Sequence, residues 1–410
     1  MAEDLVVQRP EGLYCPPGDF YIDPWRPVPR AVITHAHADH ARRGHGRYLA
    51  HCDALGVLRA RLGDIAIDGV GYGETRDHHG VRISLHPAGH VLGSAQVRLE
   101  HRGRVWVVSG DYFVSGVEGD VNLTCTPFEP VRCDCFITES TFGLPIYRWA
   151  AQQTVHEEIL AWWRACAAEG RPALLLGYSF GKAQRLLAGL GPPDGHPGPI
   201  FVHPAVRAIC EAYAAAGVSL PPYRERPAAP AARGPRARRT AAAADPPATE
   251  GDLARAIVIA PPGVADSAWA AGLGEASTAF ASGWMRLRGT RRRQGLDRGF
   301  VLSDHADWPG LMRAIAATGA QRVIVTHGYE DVMLRWLEEQ GLQAGRFHTA
   351  FGDDRLEDPA AGAELPASAE SGPTAQVQTS APADRLAAGA TAEQAPPSPA
   401  ASPAPGGEPP

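Results

Sequence analysis

Between Val28 and about Thr141 the chain alternates short apolar runs with turns. "RAVITH", "VRISLHPAG", "AQVRLE", "RVWVVSGD" and "CFITES" are rich in Val, Ile and aromatic residues and end in Gly, Asp or His. Runs of this length and composition predict β-strands joined by tight connections. After Pro145 the period changes. "AQQTVHEEILAWWRACAAEG" carries apolar residues at helical spacing and stops at Gly170, which predicts a helix. A strand-like "PALLLGYSF" follows, then a helix opening near "GKAQRLLAGL", then "GPIFVH". This alternation predicts a small α/β unit with parallel strands. "ARAIVIAPPG" continues it, and "GFVLSDHADW" and "QRVIVTHGYE" return to the strand-then-histidine pattern of the first region.

Two segments lack such patterning. "RERPAAPAARGPRARRTAAAADPPATEGD" is almost wholly Ala, Pro and Arg and cannot build a core, which predicts a flexible insertion at about 224–251. From about Asp354 the chain is rich in Ala, Pro, Gly, Ser and Glu, which predicts a disordered tail over 354–410 that the chemistry does not need. The remaining pattern leaves ample apolar material, 44% of 410 residues, for a large core. A net charge of -6 gives no bulk attraction to nucleic acid or anionic membrane, so any polyanion contact must come from local arginine clusters. Lys182 is the one lysine of the sequence. "MAEDLVVQRPEG" has neither the basic start nor the apolar stretch of a secretion signal, and no apolar run reaches bilayer length. Seven scattered cysteines fit reduced thiols, and the Cys133–Cys135 pair reads as part of a strand. A cytoplasmic protein without a membrane partner is expected.

The chemistry concentrates in "ITHAHADHARRGH", Ile33 to His45. In a strand-end loop, alternation brings His35 and His37 to one side, and the next turn can aim Asp39 and His40 at a neighbouring point. Imidazoles and a carboxylate suit zinc or a similar divalent ion. Two pairs so close favour two ions over one crowded centre. Further donors stand after other strand runs: His90 in "HPAGHVLGSA", Asp111 in "VVSGDY" and His327 in "VTHGYE". A lone histidine after a strand is usually not a ligand, but these would converge on one sheet edge. Other histidines, His45, His51, His78, His79, His86, His101 and His203 among them, lack such context.

"THAHADH", "PAGHVLGSA" and "VSGDY" resemble the successive motifs of the metallo-β-lactamase fold, and "ITEST", "LSDHADW" and "VTHGY" resemble the later motifs of its β-CASP nucleases. The likeness runs from about Glu11 to Asp353. "PEGLYCPPGDFYIDPW", "FITESTFGLPIYRW", "FASGWM" and "DRGFVLSDHADWPGL" are closest to the bacterial ligase-associated DNA exonucleases. The resemblance implies a four-layer αββα sandwich with an inserted α/β cap. The sandwich would comprise 1–145 and 296–353, and the β-CASP-like cap 146–295. It makes His35, His37 and His90 ligands of one ion, Asp39, His40 and His327 ligands of the second, and Asp111 their bridge. Asp23 would support the histidines from behind. Catalysis would fall to Glu139, His305 and Asp39, with His305 directed at the scissile phosphate. Two departures are visible. The connection after "SGDYF" is long for this group, and Phe113 stands where a basic residue is expected.

A phosphodiester track needs positive charge near the ions. "GWMRLRGTRRRQGLDRG" offers Arg286, Arg288, Arg291, Arg292, Arg293 and Arg298 just before the His305 motif. Gly181 and Lys182 open a helix whose N–H groups could receive a phosphate, and Ser282 and Gly283 form a small-residue loop of the same kind. The function this implies is a metal-dependent DNA exonuclease. It would use hydroxide activated by two divalent ions, zinc first and manganese as the alternative, in DNA repair with an ATP-dependent DNA ligase and a helicase. The nearest rival is an RNA-processing nuclease with the same mechanism. A small-molecule metallo-hydrolase is a further class, against which "ITEST" and "LSDHADW" argue. An inactive binding module is another, against which the intact ligand set argues.

Overall fold

A computed structural model describes residues 4–226, 249–287 and 295–350, all within one contact unit. It is mixed α/β with three sheets. In the first, Val7–Arg9, Gly12–Cys15, Phe20–Ile22, Arg30–Val32, Arg47–His51 and Ile67–Val70 lie side by side in chain order. The second runs Gln343–Arg346, Arg322–Gly328, Cys135–Ser140, Arg104–Val108, Ala95–His101, Val81–Pro87 and Thr75–His78. Its first four strands are parallel and its last three antiparallel. The patterned runs of the sequence all form strands, with "CFITES" matching Cys135–Ser140 residue for residue.

The two sheets share one apolar core. Leu13, Phe20, Ile22 and Val32 of the first meet Ile83, Leu85, Val97, Leu99, Val108 and Ile137 of the second. The other face of the first sheet packs on the helix Leu55–Leu62, through Ala31, Tyr48, Val57 and Leu58. The other face of the second packs on the helices Trp308–Thr318 and Glu330–Glu339, through Val107, Phe136, Leu311, Ile315, Met333 and Leu337. Full burial of each such side chain contributes roughly 1.5–3 kcal/mol.

The third sheet is wholly parallel, ordered Arg224–Glu225, Ile200–Val202, Ile257–Ala260, Ala173–Leu176, Ser277–Ala281 and Arg298–Phe300. Ala173–Leu176 and Ile257–Ala260 are buried at every position, as strands covered on both faces must be. The helix Gln152–Ala168 supplies Val155, Ile159, Trp162 and Trp163 to one of those faces. The parallel α/β unit expected from the alternating pattern is therefore present. No helix among the described residues is long and apolar enough to cross a membrane.

One pairing decides where the chemistry gathers. Cys135–Ser140 pairs in parallel with Arg322–Gly328, nearly two hundred residues later. Register slips between Thr138 and Ser140: Thr138 faces Val325, but Ser140 faces Gly328, so the later strand carries an extra residue beside Glu139 and His327. Such bulges re-aim side chains at sites. Gly328 has φ +95°, and a Cβ there would lie 2.2 Å from the Ser140 carbonyl oxygen, so only glycine lets the strands close here.

Candidate metal centre

Four loops or strand ends deliver the donors. His35, His37, Asp39 and His40 follow Arg30–Val32, His90 follows Val81–Pro87, Asp111 follows Arg104–Val108, and His327 is next to last in the strand Arg322–Gly328. Asp111 is the hub. One of its oxygens, Oδ2, lies 3.4 Å from His35 Nε2, 3.4 Å from His40 Nε2 and 3.9 Å from His90 Nε2, while Oδ1 lies 3.3 Å from His327 Nε2. His37 Nδ1 is 3.1 Å from His90 Nε2, and Asp39 is 3.6 Å from His40 Nε2. Among the described residues, three groups of metal-ligand side chains have donor atoms within 4.8 Å of one another, and all three lie here. They are His35, His37, His90 and Asp111; Asp23, His35 and His40; and Asp111, Glu139 and His327.

Each imidazole is held from behind, which fixes the nitrogen it turns inward. Thr34 Oγ1 is 3.0 Å from His35 Nδ1, and the Phe180 carbonyl is 3.4 Å from His37 Nε2. Asp23 takes the Nδ1–H of His40 at 2.7 Å, the Asp304 carbonyl takes that of His90 at 2.8 Å, and Thr326 Oγ1 is 2.9 Å from His327 Nδ1. Asp23 itself has φ +44°, a left-handed conformation that aspartate tolerates better than most residues. It also accepts from the Thr34 amide and hydroxyl, locking the loop that carries the first histidines.

Electrostatics and hydrogen bonding point the same way. His35 Nε2 and Asp111 Oδ1 are buried without a hydrogen-bond partner. Burial, reinforced by neighbouring imidazoles, holds His35 well below its ordinary value and takes His90 down to about 3. For His40 and His327, burial is outweighed by Asp111, and both are raised. Burial opposes ionisation of Asp111, but the surrounding imidazoles, His40 foremost among its attractive partners, hold it well below the carboxylate range. A buried carboxylate that draws protons onto adjacent imidazoles is a place suited to cations. Five imidazoles and two carboxylates fit zinc or a similar divalent ion.

Beside this cluster sit His305 and Glu139. The Glu139 carboxylate accepts the Nδ1–H of His305 at 2.8 Å, the Tyr112 amide at 2.8 Å and the Thr141 hydroxyl. The His305 ring lies 4.6 Å from that of His90. Phe142, Tyr147, Trp149 and Trp284 form an aromatic cluster next to it, with Phe142 6.1 Å from His305.

The substrate-binding expectations fare differently. Lys182 is buried, donates to the Leu302 carbonyl and pairs with Asp304, so its ammonium is engaged inside the protein rather than presented to a phosphate. Ser282 is buried and caps Gly283–Arg286 by accepting from the Trp284 amide. Gly283 packs against Phe142, where a Cβ would come within 2.5 Å of the ring. These two positions seat the aromatic cluster. Arg286 is exposed, whereas Arg291, Arg292 and Arg293 lie outside the described residues, as do most of the Ala/Pro/Arg insertion and the whole tail. Arg185 and Asp304 escaped the sequence reading. A buried cation and a buried anion far apart in the chain leave no local signal.

No family model matches the chain. It is 31% identical over 357 residues to a probable DNA ligase of Opitutus terrae, covering 85% of this chain and 31% of that protein. Over 151 residues it is 29% identical to cleavage and polyadenylation specificity factor 73 of Drosophila melanogaster, covering 36% of this chain and 21% of that one. With endoribonuclease ysh-1 of Neurospora crassa it shares 32% identity over 123 residues, 30% of this chain and 14% of that one. The chain thus spans about a third or less of the length of these relatives. In these likenesses, and in the histidine and aspartate motifs gathered around Asp111, the chain resembles the β-CASP group of metallo-β-lactamase-fold proteins.

Proposed function

We propose that the chain is a metal-dependent phosphodiesterase, a DNA exonuclease serving DNA repair beside a DNA ligase. One observation carries this reading: the donors converging on Asp111 stand next to the His305–Glu139 pair. A metal cluster alone would serve many hydrolases, whereas an added, oriented histidine suits a leaving group that needs a proton. The reading includes a four-layer αββα sandwich from 1–145 and 296–353, with 146–295 as the cap. In its favour are the core shared by two sheets and the helices on their outer faces.

His35, His37 and His90 would hold one ion, Asp39, His40 and His327 the other, with Asp111 shared. Two divalent ions there, zinc first and manganese as the alternative, would activate a water and offset phosphate charge. Asp23 orients His40 so that Nε2 faces inward. Glu139 takes the Nδ1–H of His305 and so makes Nε2 the nitrogen that would protonate the departing oxygen. Positive charge for the phosphates is assigned to the arginine run that includes Arg291, Arg292 and Arg293.

The long match to a protein named as a probable DNA ligase favours DNA. The likeness to an endoribonuclease over 123 residues supports RNA as the second reading. A DNA ligase and a helicase would be its partners in the cytoplasm. End-labelled single- and double-stranded DNA and matched RNA, digested with defined metals, separate the two. Stepwise shortening of DNA only when zinc or manganese is supplied is expected. Cleavage confined to RNA would establish the second reading, and no cleavage of either by metal-loaded protein would refute both.

A further inference from the structure

Resting on the two-metal reading, we propose that Lys182 and Arg185, on the helix Lys182–Gly189, are positioning residues for the metal ligand His90. Neither touches His90. Both grip the segment Leu302–Asp304, whose last carbonyl takes the Nδ1–H of His90 at 2.8 Å. Lys182 Nζ donates to the Leu302 carbonyl at 2.9 Å and to Asp304 Oδ2 at 2.9 Å. Arg185 Nη1 donates to the Ser303 carbonyl and, at 2.9 Å, to Asp304 Oδ1. Arg185 Nε is held in turn by Gln152 Oε1 at 2.6 Å. Two successive carbonyls and the carboxylate of the next residue are thus clamped by charge-assisted bonds, and that residue's own carbonyl is aimed at the imidazole.

The clamp is fully internal: Lys182 is 3% exposed, Arg185 2% and Asp304 5%. Charges buried this deeply hold only in the geometry that pairs them, so the segment has little freedom to shift. The bond it makes sets the tautomer of His90 and leaves Nε2 as the nitrogen that faces Asp111, 3.9 Å away. Lys182 is the one lysine in the chain, and its stem is confined, since a Cβ on Gly177 would lie 3.0 Å from Lys182 Cγ. A compact ammonium suits this space, whereas the planar fork of arginine would not reproduce both bonds. The third sheet's side of the protein thereby reaches into the metal centre without supplying a ligand.

The test uses the full-length chain and its Lys182→Met and Asp304→Asn variants. Zn2+ and Co2+ affinities are measured by chelator competition, and anomalous scattering at limiting Zn2+ identifies which position fills. Each variant is expected to weaken the ion held by His35, His37 and His90 by about 10–100-fold, the usual effect of losing such support. The ion held by Asp39, His40 and His327 keeps its affinity and acts as the internal control for folding. Unchanged affinity at the His90 position overturns the proposal, and so does parallel loss of both ions in both variants. A wild-type chain that fails to bind two ions contradicts the two-metal reading instead, and that result is read before the variants are compared.

Discussion

Two regions crowd histidines, and they are built in opposite ways. In the turn at His78 and His79 the two rings stack at 4.3 Å on a hairpin whose strand Thr75–His78 is largely exposed. In the loop from His35 to His40 the histidines are buried, each is braced on one ring nitrogen, and the inward nitrogens gather near one carboxylate. Adjacent histidines are common to both. What differs is the brace behind each ring and the shared anion in front. A metal centre is therefore a property of the surroundings more than of histidine density.

The contrast breaks most sharply at Asp111. Asp111→Ala is expected to lose both ions and all measurable phosphodiesterase activity, by elemental analysis and turnover on labelled DNA. Retention of two ions with ordinary turnover would remove Asp111 from its central place. Next comes the pair beside the cluster. His305→Ala should keep both ions while single-turnover rates fall by roughly 10²–10⁴-fold, the usual contribution of a positioned acid. Glu139→Gln should resemble it, and the double variant should be little worse than either, because coupled residues are not additive. Full additivity would mean that the 2.8 Å bond between them does not matter to the reaction.

A smaller effect is expected at the brace itself. Asp23→Asn keeps the shape but changes what His40 Nδ1 meets, and metal affinity should drop about 10–100-fold. An unaltered affinity would show that bracing is incidental. His78→Ala and His79→Ala should leave metal content and turnover as they are, and a loss at either would erase the distinction between the two regions.

Much of the candidate centre was legible because its donor residues sit at strand ends, and strand runs carry a readable period. His35, His37, Asp39, His40, His90, Asp111 and His327 all arrive in one cluster. The pairing of Cys135–Ser140 with Arg322–Gly328 was not visible in either strand alone, since register across so long a gap depends on tertiary packing. The early strands Val7–Arg9, Gly12–Cys15 and Phe20–Ile22 were passed over because runs of three or four residues give too little alternation. The partner of the Lys182 side chain was hidden for a related reason. A lysine opening a helix looks available to an anion, and only the folded chain brings Asp304 to it.

The smallest expected effect concerns pH. Burial, helped by Arg185, pushes His156 down to about 4, and burial with Arg42 does the same to His45. Their folded values lie below the unfolded value, so the unfolded chain binds more protons as pH falls. Their contribution to stability is complete above about pH 6.5 and is lost as pH falls from there towards 4. Urea midpoints should therefore decline over that window, and His156→Gln should flatten the decline. A variant with the wild-type slope would show that His156 is not the group responsible.

The most direct measurement is an anomalous difference map, at the zinc edge, from crystals of the zinc-loaded full-length chain. Two peaks should stand on either side of Asp111, one among His35, His37 and His90 and the other among Asp39, His40 and His327. A single peak, or zinc bound at His78 and His79 instead, would contradict the two-metal centre.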